Sequence, residues 1–367
     1  MAIDNILTIL DDYGYDPYIE NFWSEINRNG YLLARVVAEY KQIYKVITTE
    51  GEYLARITGK HIFDATDREC YPAVGDWVAI SDCYGEKAII TEILPRMTIL
   101  KKKNASMRER YGGKKEAQII ATNIDTAFII ESTDRDFSLN RFERYLVQIK
   151  DGGIKPAIVL NKTDLISEIE LGKKVGQIKK RFKDVDVVPT STVARTGLTE
   201  LTTYIKKGKT YCFVGSSGVG KSSLINRLLN ESRIKTNEVG ETTGRGKHTT
   251  TTREMYLLKN GGLIIDNPGS REVGLTGSID GIEDVFNEIT NLSNRCRYGN
   301  CTHIHEPGCA VLQAIKDGLL DEEKYDNYLR LKKEAEYYKM SGLEKREKDR
   351  KFGQFIKNAT DQLKKSK

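Results

Sequence analysis

Residues 215–223 of this chain spell Gly-Ser-Ser-Gly-Val-Gly-Lys-Ser-Ser and fit the pattern G-x-x-x-x-G-K-[ST]. The apolar run 211–214 before them predicts a buried strand, and residues 222–229 predict a helix. Glycines in this setting let backbone N–H groups turn towards phosphate oxygens, and the helix N-terminus adds positive potential. The stretch therefore predicts a phosphate-binding loop. Its members are Gly215, Ser216, Ser217, Gly218, Val219, Gly220, Lys221, Ser222 and Ser223.

Two side chains of this loop are predicted to act directly on a nucleoside triphosphate. Lys221 is expected to reach the β- and γ-phosphates and is a catalytic candidate, while Ser222 is expected to ligate Mg²⁺. The alternative is an ordinary Gly-Ser turn. The strand before the loop and the helix after it disfavour that alternative.

A second motif, Asn-Lys-Thr-Asp at 161–164, follows the apolar run 157–160. Open α/β sheets bind ligands at the C-terminal ends of their strands, which is where this motif falls. Asp164 can accept two hydrogen bonds from the N1 and N2 edge of guanine, whereas adenine would leave the carboxylate unpaired. Asn161 is expected to support the loop and the base, and Lys162 to lie along the ring. Alone, the motif could be only a helix N-cap, but beside a phosphate loop it favours guanine.

A third motif, Asp-Asn-Pro-Gly at 266–269, follows the apolar run 263–265. Asp266 is predicted to hold Mg²⁺ through water, and the Gly269 amide to meet the γ-phosphate. Between the phosphate loop and this motif lies Gly-Lys-His-Thr-Thr-Thr-Thr at 246–252. Thr250 and Thr251 are the candidates to close the Mg²⁺ shell, although the threonines also suit a β-strand.

No glutamine follows the third motif to position an attacking water, so slow intrinsic hydrolysis is expected. His248, beside the threonines, is the candidate to orient that water. The alternative is that His248 is an exposed loop residue without a catalytic part.

The order of the motifs is unusual, because the guanine motif comes first and the phosphate loop second. In the usual GTPase order the phosphate loop leads and Asn-Lys-x-Asp comes last. A sheet tolerates such a cut when the old termini are joined, since chain ends lie at the surface and often near each other. The order therefore predicts a circularly permuted α/β GTPase domain.

Three cysteines and two histidines are concentrated in residues 296–309. Three thiolates and one imidazole form a closed tetrahedral Zn²⁺ set with no position left for substrate, which predicts one structural zinc. The ligand candidates are Cys296, Cys301, His303 and Cys309, and His305 could substitute for His303. A disulfide pair is disfavoured, because no signal peptide is evident and the protein is expected to be cytoplasmic with reduced thiols.

Composition fits a protein of several globular domains with a basic partner surface. The chain has 367 residues, of which 39% are hydrophobic and 30% charged, with a net charge of +6. Residues 101–115 hold seven Lys and Arg and one acid, and residues 345–367 hold nine and three. Such patches suit phosphate-backbone contact, although Lys-rich helices can also be simply solvated. No apolar run is long enough to span a membrane.

Periodicity divides the chain into four parts. We predict an N-terminal extension at 1–28, a barrel at 29–104, the permuted GTPase domain at 105–285 and a helical zinc-binding module at 286–367. Five short alternating runs between 31 and 93 predict a barrel of the OB type, a fold that often binds oligonucleotides. Residues 101–125 are predicted to be a basic connector, and helices are predicted at 310–318 and 322–352.

From residue 29 to residue 355, the chain resembles the bacterial ribosome small subunit-dependent GTPase A family. The similar stretches are IATNID at 120–125, GSSGVGKSSL at 215–224, GKHTTTTRE at 246–254, DNPGSREVGL at 266–275 and DRKFG at 349–353. The resemblance implies a GTPase that binds the immature small ribosomal subunit and its rRNA late in assembly. It further implies stimulation by the subunit and release on hydrolysis. The same likeness supports the guanine, phosphate, Mg²⁺ and zinc residues named above and adds Thr190 and Ser191 as the remaining guanine loop.

Two other classes of function stay open at this point. The chain could be a GTP-gated RNA-binding switch whose hydrolysis is incidental, or a metallochaperone GTPase whose cysteines carry cargo. A cargo site should be open, and a complete set of four ligands favours a structural role. The expected partners are GTP or GDP and the small subunit, no membrane is expected, and the protein is expected to be a monomer.

Overall fold

The computed structural model describes residues 9–26, 30–40, 43–59, 68–103, 117–134, 137–230, 253–266 and 279–340, and five single residues after them. Contacts group the chain into two compact units. The first comprises Met1–Lys102 and Gln118–Val273, and the second Lys103–Ala117 and Gly274–Lys367. Within the described ranges, no helix has the length and apolar character needed to cross a membrane. The predicted boundaries at 28, 104 and 285 remain predictions.

Five strands of the first unit close into a barrel. Strand β1 pairs with β2, β2 with β3, β3 with β5, β5 with β4, and β4 again with β1. Each of the five strands therefore has a hydrogen-bonded neighbour on both sides. Side chains pointing alternately inward fill its centre, including those of Val36, Val46 and Ile80. This arrangement confirms the OB-type barrel. The strands are β1 Leu32–Tyr40, β2 Ile43–Ile47, β3 Glu52–Ile57, β4 Trp77–Tyr84 and β5 Lys87–Ile93.

A short helix, α1 (Pro17–Ile26), packs the N-terminal segment onto the barrel. Asp16 begins it, because its Oδ1 accepts hydrogen bonds from two backbone N–H groups of the first turn at 3.0 and 3.1 Å. Ile19 then joins Leu33 and Trp77 of the barrel in an apolar cluster. The aromatic residues of the N-terminal extension therefore have a packing role.

The nucleotide-binding half of the unit is a mostly parallel sheet in the order β10-β9-β8-β11-β13-β12. Only β12, at its edge, runs antiparallel to its neighbour β13. The chain goes from β8 outward to β10 and returns to β11 on the other side of β8, which creates a topological switch point between β8 and β11. The strands are β8 Thr126–Ser132, β9 Lys155–Asn161, β10 Asp186–Pro189, β11 Thr210–Val214, β12 Arg253–Leu257 and β13 Leu263–Asp266.

Helices connect these strands, and their apolar residues complete the core. Phe128 of β8, Phe213 of β11 and Leu224 of the phosphate-loop helix belong to one buried cluster. This confirms an α/β domain in which the guanine motif precedes the phosphate loop. The helices are α2 Leu139–Asp151, α3 Glu168–Arg181, α4 Leu198–Tyr204 and α5 Lys221–Leu229.

The barrel and the parallel sheet share hydrogen-bonded strands. β1 pairs antiparallel with β12, with Ala38 opposite Glu254 and Glu39 opposite Arg253. The Arg253 guanidinium also lies 3.0 Å from the Glu39 carboxylate. As a result, eleven strands form one continuous sheet through both halves of the unit.

The predicted basic connector at 101–125 is wrong at both ends. Strands β6 (Ile99–Lys103) and β7 (Ala117–Thr122) pair in a separate two-stranded sheet. Thr122 also donates a 2.6 Å hydrogen bond to the buried carboxylate of Asp76 at the base of the barrel. The lysines in this stretch suggested a solvated segment, but Lys101 and Lys102 are half-buried in the strand, and Lys101 Nζ lies 2.8 Å from a Glu69 oxygen.

The second unit contains four described helices. Their core includes Phe286, Val311, Tyr328 and Leu331, and the rings of Phe286 and Tyr328 lie 5.5 Å apart. The predicted helix at 310–318 is confirmed. The prediction of one helix over 322–352 is wrong in its extent, because α9 ends at Lys339 and Met340 has an extended backbone, while the described residues 344, 347, 348 and 350 are helical again. The helices are α6 Asp280–Val285, α7 Asn287–Ser293, α8 Ala310–Lys316 and α9 Glu322–Lys339.

Candidate nucleotide and metal sites

Three predicted motifs meet at one edge of the parallel sheet. The guanine motif begins at the end of β9, the phosphate loop follows β11, and Asp266 ends β13. Because these strands are parallel, their carboxyl ends lie at the same edge, with only β8 between β9 and β11. The sheet thus sets the guanine motif to one side, the phosphate loop in the centre and the acidic residue beyond it.

Two positions of the phosphate loop have no room for a side chain. A Cβ on Gly215 (φ +147°) would lie 2.2 Å from the Ile130 carbonyl oxygen, and one on Gly220 (φ +99°) would lie 2.3 Å from Asn161 Nδ2. The backbone conformation at both positions is also one that glycine adopts at little cost. Val219 between them is buried and fixes the loop against the core. The glycines are therefore required by close backbone approach and by conformation.

Lys221, the first residue of α5, is held inside this loop. Its Nζ donates to the carbonyl oxygens of Gly215 at 2.7 Å and Ser216 at 2.6 Å. Burial lowers the pKa of the ammonium to about 8, while the carboxylates of Asp266 and Glu131 act in the opposite direction. An ammonium has three donors, so a further one remains for a phosphate oxygen.

The loop hydroxyls and Asp266 form a set of oxygen donors suited to a hard cation. Ser222 and Ser223 lie half-buried in the first turn of α5, and Asp266 is half-buried at the end of β13. Mg²⁺ prefers carboxylate, hydroxyl and phosphate oxygens. Ser216 is half-buried and Ser217 is exposed. The predicted residues His248, Thr250, Thr251 and Gly269 lie outside the described residues.

Asn161 connects the guanine motif to the phosphate loop. It is fully buried, and its Nδ2 donates a 2.8 Å hydrogen bond to the carbonyl oxygen of Val219. Its Oδ1 accepts a 3.1 Å bond from the Thr190 hydroxyl, which follows β10. One amide side chain thereby joins three loops at fixed spacing.

Asp164 is exposed at the mouth of the site, and Ser191 orients its carboxylate. The Ser191 hydroxyl donates to Asp164 Oδ1 and accepts bonds from the backbone N–H groups of Val193 at 3.2 Å and Ala194 at 2.9 Å. The hydroxyl is fixed by its own loop, so it holds the carboxylate in one orientation. Thr190 and Ser191 therefore contact two residues of the guanine motif, Asn161 and Asp164, and their part in binding guanine stays a prediction.

The residues that follow β8 also belong to this site, and sequence reasoning missed them. The Thr133 N–H donates to the Asn161 carbonyl at 3.0 Å, and its hydroxyl donates to the Lys162 carbonyl at 2.6 Å. Lys162 Nζ lies 3.1 Å from an oxygen of Asp134. No motif marks these residues. Their only signal is that they end the strand lying between the two recognised loops.

The four predicted metal ligands converge in the second unit. Their ligand atoms lie within 4.8 Å of one another. Cys296 Sγ lies 3.8 Å from Cys309 Sγ and 3.6 Å from His303 Nδ1, which in turn lies 3.5 Å from Cys309 Sγ. A tetrahedral ion with bonds of about 2.3 Å to sulfur and about 2.1 Å to nitrogen requires edges of about 3.8 and 3.6 Å. The ligand atoms of Cys296, His303 and Cys309 therefore lie at the spacing of a tetrahedral metal site, and Cys301 Sγ lies within 4.8 Å of each of them.

Neighbouring groups favour the ligand forms of Cys296 and His303, whereas burial raises the pKa of the Cys301 thiol to about 11. Burial raises the pKa of the Cys296 thiol, but hydrogen bonds from the backbone N–H groups of Ala310 and Val311 and from the thiols of Cys309 and Cys301 together lower it. Burial, followed by the charge of Lys332, lowers the pKa of His303 and favours neutral imidazole. Such outer groups commonly orient metal ligands. His305 is exposed and is not one of the four convergent residues.

Glu306 organises the loop between the ligands, although no pattern in the sequence singles it out. Its carboxylate accepts backbone N–H bonds from Thr302 at 2.9 Å, Ile304 at 3.1 Å and His305 at 3.2 Å. Hydrogen bonds from the Thr302 hydroxyl and N–H lower its pKa. A half-buried carboxylate thus holds together, by hydrogen bonds, a loop that has little regular secondary structure.

Comparison with known proteins agrees with this geometry. The family model described as RsgA GTPase matches residues 93–276. The protein of Bacteroides thetaiotaomicron named small ribosomal subunit biogenesis GTPase RsgA 1 is 40% identical over 325 residues, covering 88% of each chain. This identity extends well beyond the nucleotide-binding sheet.

Two solved structures show the same fold. The crystal structure of YjeQ from Thermotoga maritima has a TM-score of 0.61 at 24% identity, covering 83% of this chain and 98% of that one. The structure of YloQ, described as a circularly permuted GTPase, has a TM-score of 0.60 at 24% identity, covering 85% and 97%. Together with the extent of the sequence identity, these likenesses show that the chain belongs to the RsgA GTPase family.

Proposed function

We propose that this protein hydrolyses GTP to GDP and phosphate as a factor in the assembly of the small ribosomal subunit. The subunit stimulates hydrolysis, and hydrolysis releases the protein. The observation that carries the nucleotide assignment is the bond from Asn161 to the Val219 carbonyl, with Thr190 bonded to the same amide. It holds a base-reading loop and a phosphate loop in one site. The name of the Bacteroides relative supports the biological role.

Within this proposal the phosphates lie on the loop Gly215–Ser223, with Lys221 against the β- and γ-phosphates. Asp164 reads the guanine edge, and Ser191 orients it. Asn161 and Thr190 brace the loops, and Lys162 lies along the ring. Support comes from the hydrogen bonds that already fix these groups, since a preorganised site loses less entropy on binding.

Ser222 and Asp266 would hold Mg²⁺. When bound, the ion neutralises charge that develops on the transferred phosphate. Lys221 contributes positive charge to the same phosphates. Gly269, Thr250, Thr251 and His248 keep their predicted parts, with His248 orienting the attacking water.

The cysteine cluster is proposed to hold one structural Zn²⁺. A set of three sulfurs and one nitrogen matches the preference of zinc, and it leaves no open position for a substrate. N–H groups at the start of α8 stabilise the sulfur charge. A closed set is better suited to stabilising the module than to delivering metal.

The proposed ribosomal partner includes rRNA, and the protein is proposed to act as a cytoplasmic monomer. Besides the basic segments predicted from sequence, exposed lysines on and after α3 offer positive charge, namely Lys179, Lys180 and Lys183. Contact with phosphate backbones releases counterions, so association should weaken steeply with salt.

The experiment that tests this proposal compares GTP turnover without ribosomes, with purified small subunits and with purified large subunits. Small subunits are expected to accelerate turnover, and large subunits are not. The Lys221→Ala protein serves as the blank for contaminating hydrolases. Equal turnover in the three conditions would contradict the assembly role. Nucleotide-dependent subunit binding without acceleration would identify the pure-switch alternative.

A further inference from the structure

The segment after β8 contains a carboxylate that touches the guanine motif. Ser132 ends the strand, and its hydroxyl lies 2.5 Å from Asp134 Oδ1. The other oxygen of Asp134 lies 3.1 Å from Lys162 Nζ. The two side chains of this ion pair are 33% and 25% exposed. Asp134 belongs to none of the nucleotide motifs.

The ion pair is not needed to close the loop that contains Lys162. Two hydrogen bonds from Thr133 already hold the backbone on one side. On the other side, the Thr163 N–H donates to the Thr190 carbonyl at 3.1 Å. What the Asp134 contact adds is a fixed position for the Lys162 ammonium.

The backbone of Lys162 is itself unusual. Its φ is +62°, a left-handed conformation that few residues other than glycine adopt. Non-glycine residues in this region cluster at functional sites, where the surrounding structure maintains them. The conformation and the ion pair together fix both ends of this side chain.

The strand order shows where that side chain runs. The base-reading residues follow β9 and β10, the phosphate loop follows β11, and β8 lies between them. A nucleotide bound to both loops must therefore pass over the end of β8. The Lys162 side chain spans from β9 to Asp134 on that same path. Its hydrocarbon stem can cover one face of a purine while its ammonium stays paired.

We propose that Asp134 is a positioning residue for guanine nucleotides, which anchors Lys162 so that its stem forms one wall of the base pocket. This inference rests on the proposed function and deepens its account of the site. Asp164 reads the edge of the base, whereas Asp134 acts through a ring face that guanine and hypoxanthine share. Removing Asp134 should therefore weaken the binding of GDP and of inosine diphosphate (IDP), whose base is hypoxanthine, by the same factor.

The test measures affinities of GDP and IDP by displacement of a fluorescent GDP from the full-length protein. The variants are Asp134→Ala, Lys162→Met and the double variant. Asp134→Ala is expected to lower the affinity for both nucleotides about fivefold, so that the ratio of the GDP affinity to the IDP affinity is unchanged. In the Lys162→Met background the same change is expected to have no further effect. In turnover assays the loss should fall mainly on KM.

A matched control is Asp186→Asn, which removes a carboxylate whose Oδ2 lies 3.7 Å from Lys155 Nζ. Asp186 is the first residue of β10, so it lies at the opposite end of the strands from the nucleotide loops. It should leave both affinities unchanged. If Asp134→Ala folds poorly, Asp134→Asn takes its place in the cycle. Wild-type affinity in the Asp134 variant, or an undiminished loss in the Lys162→Met background, would overturn the positioning role. A wild-type protein that binds no GDP would instead overturn the proposed function.

Discussion

The nucleotide site and the cysteine cluster are assembled in opposite ways. Residues of the nucleotide site come from the ends of different strands, between Thr133 and Asp266, and are brought together only by the sheet. The cluster comes from one short stretch, Cys296–Cys309. The first site is therefore a product of the whole fold, while the second is a local constellation.

This difference bears on what keeps each site in shape. The nucleotide loops are joined by hydrogen bonds between protein groups, such as that between Asn161 and Val219, so contacts across the fold hold this site in shape. Around the cluster, helices α6, α7 and α8 have six or seven residues each, too few to be stable alone. A metal bound to the cluster can supply the missing free energy.

The largest effect is expected from loss of a metal ligand. Cys301→Ala should release the metal and unfold the second unit, because structural zinc contributes about 10 kcal/mol in small modules. GDP binding should survive, since the nucleotide residues lie in the first unit. Metal analysis, circular dichroism and GDP titration on one preparation check this.

The control for that change is Cys83→Ala, which removes a half-buried cysteine of the barrel. It should keep about one metal ion per chain. Retention of the metal and of helical signal in Cys301→Ala would show that the cluster does not stabilise its unit.

A second large effect is expected at the phosphate loop. Lys221→Ala should lower kcat by at least about 100-fold, because its ammonium is aimed at the phosphates whose charge develops during transfer. The fold should persist by circular dichroism. Lys209→Ala removes an exposed lysine at the other end of β11 and should keep normal turnover. Unchanged turnover in Lys221→Ala would show that the phosphate loop takes no part in GTP hydrolysis.

An intermediate effect is expected at the base. Asp164→Asn should weaken GDP binding by about 10- to 100-fold. It should strengthen the binding of xanthosine diphosphate, because the new amide can donate a hydrogen bond to the xanthine carbonyl. Competition between the two nucleotides measures how far the ratio of the two affinities changes between the wild type and the variant. Equal affinity of the variant and wild type for GDP would show that Asp164 does not read guanine.

A smaller effect is expected from pH. Burial lowers the pKa of Lys221 to about 8 in the free protein, so above that pH the lysine loses its proton before a nucleotide arrives. A bound phosphate favours the charged form of Lys221. GDP affinity should therefore be nearly constant from neutral pH to about pH 8, and above pH 8 it should fall by up to about tenfold per pH unit. Calorimetry in two buffers should detect proton uptake at about pH 9. A flat affinity over this range would contradict the account.

Sequence sufficed for the parts of both sites that depend on local spacing. The phosphate loop, the strands before each motif and the four metal candidates follow from runs of a few residues. The barrel was also predictable, because alternation in five short strands indicates one buried face. Each of these features needs only the residues that make it.

What the sequence did not predict depends on partners far along the chain. The pairing of β1 with β12 joins residues more than two hundred positions apart, and nothing in either strand indicates it. Asp134 acquires its contact with Lys162 only because β8 and β9 are neighbours. Glu306 looks like any surface carboxylate until the loop folds around it. These are consequences of tertiary structure, which local patterns do not encode.

The central claim is that a guanine-reading loop and a phosphate loop form one preorganised site despite their reversed order. The most direct measurement is calorimetric titration of the full-length protein with GDP, IDP and ADP. GDP is expected to bind one per chain, IDP more weakly because it lacks the 2-amino group that Asp164 accepts from, and ADP without measurable heat. Equal binding of GDP and ADP would contradict the claim, because it would leave the phosphate loop without a guanine reader.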